Sequence, residues 1–174
     1  ADYVVPPTAC IIQEELGLPE TCLSIEIKHG CSGWVVGLNS AASLIMGGCL
    51  KRALLLCGDT STLLHSPFDK ETRPLFGDAG SCTALEFDTI ASTLEFEHGT
   101  RGKDFKSIYT PVGGCRNAVT AKDLEFIEYG PNQLRRNIDC TMDGMNVFAF
   151  GMSVAPKSVK RLAIVSLDNA ARRN

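Results

Sequence analysis

Cys31 lies in the run Ile25-Glu26-Ile27-Lys28-His29-Gly30-Cys31-Ser32-Gly33-Trp34-Val35-Val36-Gly37-Leu38, where a strand-like stretch passes through glycines into a helix-like one. That setting can turn a thiol into a nucleophile. A cysteine in the first turn of a helix feels unpaired backbone N–H groups and the positive end of the dipole, and both favour thiolate. Gly30 and Gly33 permit a sharp turn and a close approach by another backbone or an acyl group. The same residues also fit a plainer role, because free cysteine packs as a small core side chain. His29 invites a nucleophile–base pairing with Cys31, but the chain turns at Gly30 and strand periodicity no longer sets their faces. A satisfied or partly exposed histidine is the plainer reading there.

The chain that must position these residues has 174 residues, enough for one domain with a core. Hydrophobic residues make up 44% and charged residues 21%, an ordinary globular balance. A formal charge of −3 gives no electrostatic reason to expect nucleic-acid binding. No apolar run approaches the roughly 20 residues that cross a bilayer, and the start lacks the segments of a signal peptide. The eight cysteines are scattered, no two form a C-x-x-C pair, and His29, His65 and His98 do not join them at zinc-finger spacing. Cys49, Cys57 and Cys82 fall in apolar segments, as buried thiols do. The expectation is a reduced, cytoplasmic protein without a structural metal.

Pro6-Pro7 opens a predicted helix over residues 8–16 with Gly17 as its stop. Residues 23–28 alternate and predict a strand. Residues 32–47 lack proline and are dense in Gly, Ser and Ala, which predicts a buried, closely packed helix. Residues 53–57, Ala-Leu-Leu-Leu-Cys, predict a central strand covered on both faces. Residues 58–74 read as a polar surface loop. Residues 81–87 and 91–97 read as two strands joined around Asp88-Thr89. Residues 99–122 are irregular and suited to lining a ligand. Residues 143–162 predict a helix that Pro156 should kink or divide. The order of elements makes the class α/β.

Four separated stretches then combine. They are Pro7-Thr8-Ala9 through Gln13, Leu16 and Gly17; Gly30-Cys31-Ser32-Gly33; Phe76-Gly77-Asp78-Ala79-Gly80; and Met142-Asp143-Gly144-Met145-Asn146-Val147-Phe148. In this order and spacing the chain resembles the β-ketoacyl-acyl-carrier-protein synthase III family of the thiolase superfamily, over roughly residues 3–162. The resemblance implies a thiolase-like α/β fold, part of a layered αβαβα architecture with a mixed sheet. It also implies an acyltransferase of fatty-acid biosynthesis. Cys31 would take an acyl group from coenzyme A and then condense it with malonyl-acyl carrier protein, with loss of carbon dioxide. The cysteine's own backbone N–H would help form an oxyanion hole.

By the same resemblance Lys70 stands where relatives often carry an arginine near the coenzyme A nucleotide; lysine keeps the charge and loses the planar fork. Phe76 matches an acyl-pocket residue, and Gly144 and Phe148 match positions beside the pantetheine arm. Asp78 matches a residue read as structural. Acyl-coenzyme A enters as substrate, no bound cofactor or metal is implied, and the implied partners are the carrier protein and a second copy in a homodimer, with neither nucleic acid nor membrane.

The family is roughly twice this length, and its catalytic histidine and asparagine belong to a half with no counterpart here after Leu162. The expectation is an incomplete middle portion: residues 1–97 as part of the cysteine-bearing half, 98–142 as a connecting segment, and 143–174 as the start of the second half. Such a chain alone should not complete condensation. The alternatives are a non-catalytic condensing-enzyme-like subunit, or a sister coenzyme-A-dependent acyltransferase or 3-hydroxy-3-methylglutaryl-coenzyme-A-synthase-like enzyme.

Overall fold

Two glycines in left-handed conformation end the first two helices in a computed structural model that describes residues 3–91 and 94–171. Helix α1 (Thr8–Glu15) stops at Gly17, whose φ is +60°. There Leu18 N–H bonds Gln13 O at 3.0 Å and Gly17 N–H bonds Glu14 O at 2.9 Å. Helix α2 (Gly33–Met46) stops in the same way at Gly48, φ +74°, with Cys49 N–H on Leu44 O and Gly48 N–H on Ile45 O, both at 3.0 Å. These crossed bonds satisfy carbonyls that a helix end leaves open, and only glycine enters that conformation without a Cβ penalty. Both predicted helices form within a residue or two of the expected ends.

Strand β1 (Arg52–Thr60) pairs with β2 (Asp78–Glu86) as a two-stranded sheet. The chain divides into two compact units, residues 1–57 with 82–88, and residues 58–81 with 89–174.

In the first unit α2 lies on β1 at Gly37. A Cβ there would stand 2.6 Å from Leu55 Cδ1, so the helix backbone lies close enough to the sheet that any added side chain must displace the Leu55 tip. Trp34 Nε1 donates to Thr83 Oγ1 of β2 at 3.1 Å. The dense small residues of α2 do serve close packing. The expectation of a strand covered on both faces fails, however. Ala53, Leu55 and Cys57 are half-buried while Leu54 and Leu56 are exposed, because α2 covers one face only. Cys49 and Cys82 are likewise exposed rather than buried. Among the described residues Ile45 is the one fully buried hydrophobic side chain.

Residues 23–29 form no strand. Alternation encodes which side chains share a face, but a strand also needs a neighbour to bond, and none pairs here among the described residues. Residues 94–97 are also irregular, residues 92–93 of that predicted strand lie outside the described residues, and β2 takes β1 as its partner instead.

The second unit holds the rest. Strands β3 (Ile108–Tyr109) and β6 (Thr141–Met142) pair antiparallel, as do β4 (Ile127–Gly130) and β5 (Gln133–Arg135) around a turn at Asn132, φ 66°. Helix α3 (Gly144–Ala171) continues past Pro156 without division. Side-chain ties brace the stretch beyond the proline: Arg161 Nε bonds Glu97 Oε1 at 2.6 Å, Asn169 Nδ2 bonds Glu95 Oε1 at 3.0 Å, and Ser158 and Ser166 bond Glu97 and Glu95. Such contacts offset the backbone bond that proline removes.

Candidate functional site

Gly33 N–H donates to Gly30 O at 2.7 Å, which closes a four-residue turn with Cys31 and Ser32 at its corners. Ser32 has φ −90° and ψ 6°, the values of the second corner of a type I turn. Helix α2 begins only at Gly33, so Cys31 stands one residue before the helix cap rather than inside the first turn. The two corner positions of the turn account for that offset. Cys31 is exposed, and α2 receives no side-chain cap. The glycines play a smaller part than expected. A Cβ on Gly30 would meet nothing within 4 Å, and one on Gly33 would make an ordinary 3.6 Å contact with His29 Cβ. His29 bonds Ser32, with Nδ1 and Oγ 3.1 Å apart. Cys31 belongs to the first compact unit; Lys70, Phe76, Gly144 and Phe148 belong to the second.

Lys70 projects from a turn held by several hydrogen bonds. Asp69, 1% exposed, accepts Glu71 N–H at 3.0 Å and Thr72 N–H at 3.2 Å on Oδ1, and the Thr72 hydroxyl at 2.8 Å on Oδ2. Arg135 Nε faces Asp69 Oδ2 at 3.6 Å, while its guanidinium lies over the Tyr129 ring at 4.6 Å. Ser66 Oγ donates to Leu134 O at 2.6 Å, and Lys70 N–H donates to Asn132 O at 3.0 Å. The loop expected on the surface therefore carries four buried side chains, His65, Ser66, Asp69 and Thr72. Lys70 is itself exposed on this backbone.

Phe76 is half-buried and stacks on buried His65. Beside it Arg73 Nη1 donates to Thr62 O at 2.5 Å. Asp78 accepts Thr62 N–H at 2.8 Å and its hydroxyl at 2.7 Å, and these bonds hold the Asp78 carboxyl below the usual range. Asp78 thus ties the start of β2 to the segment after β1.

Gly144 opens α3, capped by Asp143. The Asp143 carboxylate accepts Asn146 N–H at 3.0 Å and the Asn146 side-chain amide at 2.8 Å. A Cβ on Gly144 would meet nothing within 4 Å, and exposed Phe148 follows one turn later on the same helix face. Cys140, unlike exposed Cys31, is half-buried. Burial pushes the Cys140 thiol up.

Sequence reasoning missed His65, Ser66, Arg135 and Asp139. The Asp139 carboxylate takes Arg136 N–H at 2.8 Å and its guanidinium at 2.8 and 3.3 Å. The Ser66-x-x-Asp69-x-x-Thr72 spacing was the one available signal, since Asp and Ser bond backbone amides two or three residues on.

Residues 25–102 match the family model of 3-oxoacyl-[acyl-carrier-protein (ACP)] synthase III. A β-ketoacyl-[acyl-carrier-protein] synthase III of Fusobacterium nucleatum is 30% identical over 163 residues, covering 90% of this chain and 45% of the relative. A solved 3-oxoacyl-(acyl-carrier-protein) synthase III is 32% identical with a TM-score of 0.85, over 95% of this chain and 50% of that one. A solved 3-oxoacyl-(acyl-carrier protein) synthase from Burkholderia xenovorans LB400 is 33% identical with a TM-score of 0.76, over 94% of this chain and 45% of that one. The chain thus spans about half the length of the curated relatives it matches. The likeness to these solved structures establishes the expected thiolase-like α/β fold.

Proposed function

We propose, from the chain's membership of the 3-oxoacyl-[acyl-carrier-protein] synthase III family, that it is the cysteine-bearing segment of a condensing enzyme. Cys31 is the acyl acceptor. Its thiolate attacks the carbonyl of an acyl-coenzyme A primer, the carbon–sulfur bond to coenzyme A breaks, and coenzyme A leaves as thiolate to be protonated from solvent. In the complete cycle malonyl-acyl carrier protein loses carbon dioxide. The electron pair left at its α-carbon attacks the acyl-cysteine, and Cys31 leaves as thiolate.

Lys70 meets the coenzyme A nucleotide, Phe76 walls the acyl pocket, and Gly144 with Phe148 flanks the pantetheine arm. The observation that carries this reading is the exposed turn of Cys31 ahead of an uncapped helix, within the segment that matches the family. Decarboxylation calls on a histidine and an asparagine without counterpart in these 174 residues, so the chain contributes acyl transfer and not the whole condensation. Residues 1–97, 98–142 and 143–174 serve as cysteine-bearing half, connector and start of a second half. The assembled enzyme is a cytoplasmic homodimer that works without a bound cofactor.

Intact mass before and after acetyl-coenzyme A tests the reading. One acetyl group should be gained, mapped to Cys31 and absent in Cys31→Ala. No gain in a folded sample, or a gain that survives Cys31→Ala, overturns it.

A further inference from the structure

Ser32 occupies the residue before α2, where serine ordinarily turns its oxygen back onto the second or third helical N–H. Here no side chain caps the helix, and the hydroxyl engages His29 instead, 3.1 Å from Nδ1. That bond spans Gly30 and Cys31, the same stretch closed on the backbone by Gly33 N–H to Gly30 O. Cys31 therefore sits inside a turn fastened twice, once through the main chain and once through side chains.

We propose that His29 and Ser32 are positioning residues for Cys31, acting together as a side-chain clasp on its turn. The proposal rests on Cys31 being the acyl acceptor and names what holds it in place. Two consequences follow from the geometry. The clasp draws the Ser32 oxygen away from the first-turn N–H groups, which stay open to negative charge developing ahead of the helix. The clasp also survives either charge state of His29, because a hydroxyl both donates and accepts: it donates to a neutral Nδ1 and accepts from a protonated one. His29 acts through Ser32 and is not the general base.

Alkylation by iodoacetamide reads the clasp without needing turnover. The rate at Cys31 in the full chain is followed by peptide mass, with the other seven cysteines as the control for folding. His29→Ala and Ser32→Ala should each slow Cys31 about three- to tenfold, the worth of one hydrogen bond. The double variant should be no slower than either single one. His29→Asn and Ser32→Thr, which keep a bonding group, should recover most of the rate.

Rates within twofold of the parent in both alanine variants would overturn the proposal. So would slowing in His29→Ala alone, which would mean that the imidazole acts directly on the thiol. If an alanine variant loses its fold, the two conservative variants decide: near-parental rates support the clasp, and alanine-like slowing overturns it. Failure of acetyl-coenzyme A to label Cys31 bears on the proposed function, whereas flat alkylation rates beside intact acetylation bear on the clasp alone.

Discussion

The ring of Phe76 lies flat on the imidazole of His65, with 3.9 Å between centroids and 18° between planes. His65 is 4% exposed and its Nδ1 stands 2.8 Å from Ser61 O, so Nδ1 carries the proton and Nε2 is a buried acceptor. That Nε2 has no hydrogen-bond partner among the described residues. The residue expected to wall an acyl pocket is therefore held by a histidine that gives up one hydrogen bond to be there.

Replacing His65 separates the two terms. His65→Ala should cost about 2–4 kcal/mol, since a buried ring is lost from a stack and a cavity opens. His65→Phe keeps the stack and removes the orphaned nitrogen, so it should fall within about 1 kcal/mol of the parent. Urea unfolding of the three proteins checks this. Equal losses in Ala and Phe variants would mean that the Nδ1 bond to Ser61, rather than stacking, holds the ring.

Asp69 and Arg135 form a buried ionic contact in the second unit, with side chains 1% and 10% exposed. Asp69→Ala strips three hydrogen bonds and leaves a guanidinium without its counter-charge, a loss of about 3–5 kcal/mol. Arg135→Met removes the charge and keeps apolar volume against Tyr129, so it should cost less. In the double variant the losses should fall short of additive, because the stranded charge is gone. Denaturant midpoints for the four-member cycle provide the measurement, and strict additivity would show that the pair does not interact.

Gly37 poses a contest between two effects of similar size. Alanine inside a helix is favoured over glycine by about 1 kcal/mol. Against that, its Cβ would stand 2.6 Å from Leu55 Cδ1, the mobile tip of a half-buried side chain. A tip can swing aside, so Gly37→Ala should lie within about 1 kcal/mol of the parent. Gly37→Leu cannot be relieved by one rotamer and should cost about 1–3 kcal/mol, partly recovered by Leu55→Ala. Thermal unfolding decides it; a parental Tm for Gly37→Leu would mean that α2 does not press on β1.

These side-chain relationships mark where sequence legibility ended. The ends of α1 and α2 were readable to within a residue or two, with Gly17 as the stop of α1, whereas α3 runs to Ala171, beyond the expected residue 162. The Cys31 turn was also readable, although the helix start at Gly33 and the bond from Ser32 to His29 were not. Residues 23–28 show the opposite case, since alternation names a face and leaves the partner strand unspecified. The loop over residues 58–74 looked like surface because its residues are polar. Its partners lie far along the chain, with Leu134 68 residues beyond Ser66, and no local pattern shows such a closure. Lys70 and Phe76 were singled out by resemblance, whereas the buried residues that support them came only from the fold.

Acid should loosen the second unit in a defined direction. Asp78 is held down first by Thr62 N–H, Glu97 by Ser158 and then Arg161, and Asp123 by Thr120 and then Asn137. Each folded-state value lies below the ordinary one of 3.8 for the aspartates and 4.5 for the glutamate, so the unfolded chain takes up protons first as pH falls. Stability from these groups is therefore fully present above the ordinary values and is lost as pH drops through the depressed ones. Tm should change little on their account down to about pH 5 and fall below it. Asp78→Asn, which keeps acceptor capacity on its oxygen but cannot titrate, should flatten part of that fall at the cost of a lower starting Tm. An acid limb as steep in Asp78→Asn as in the parent would remove Asp78 from the groups responsible.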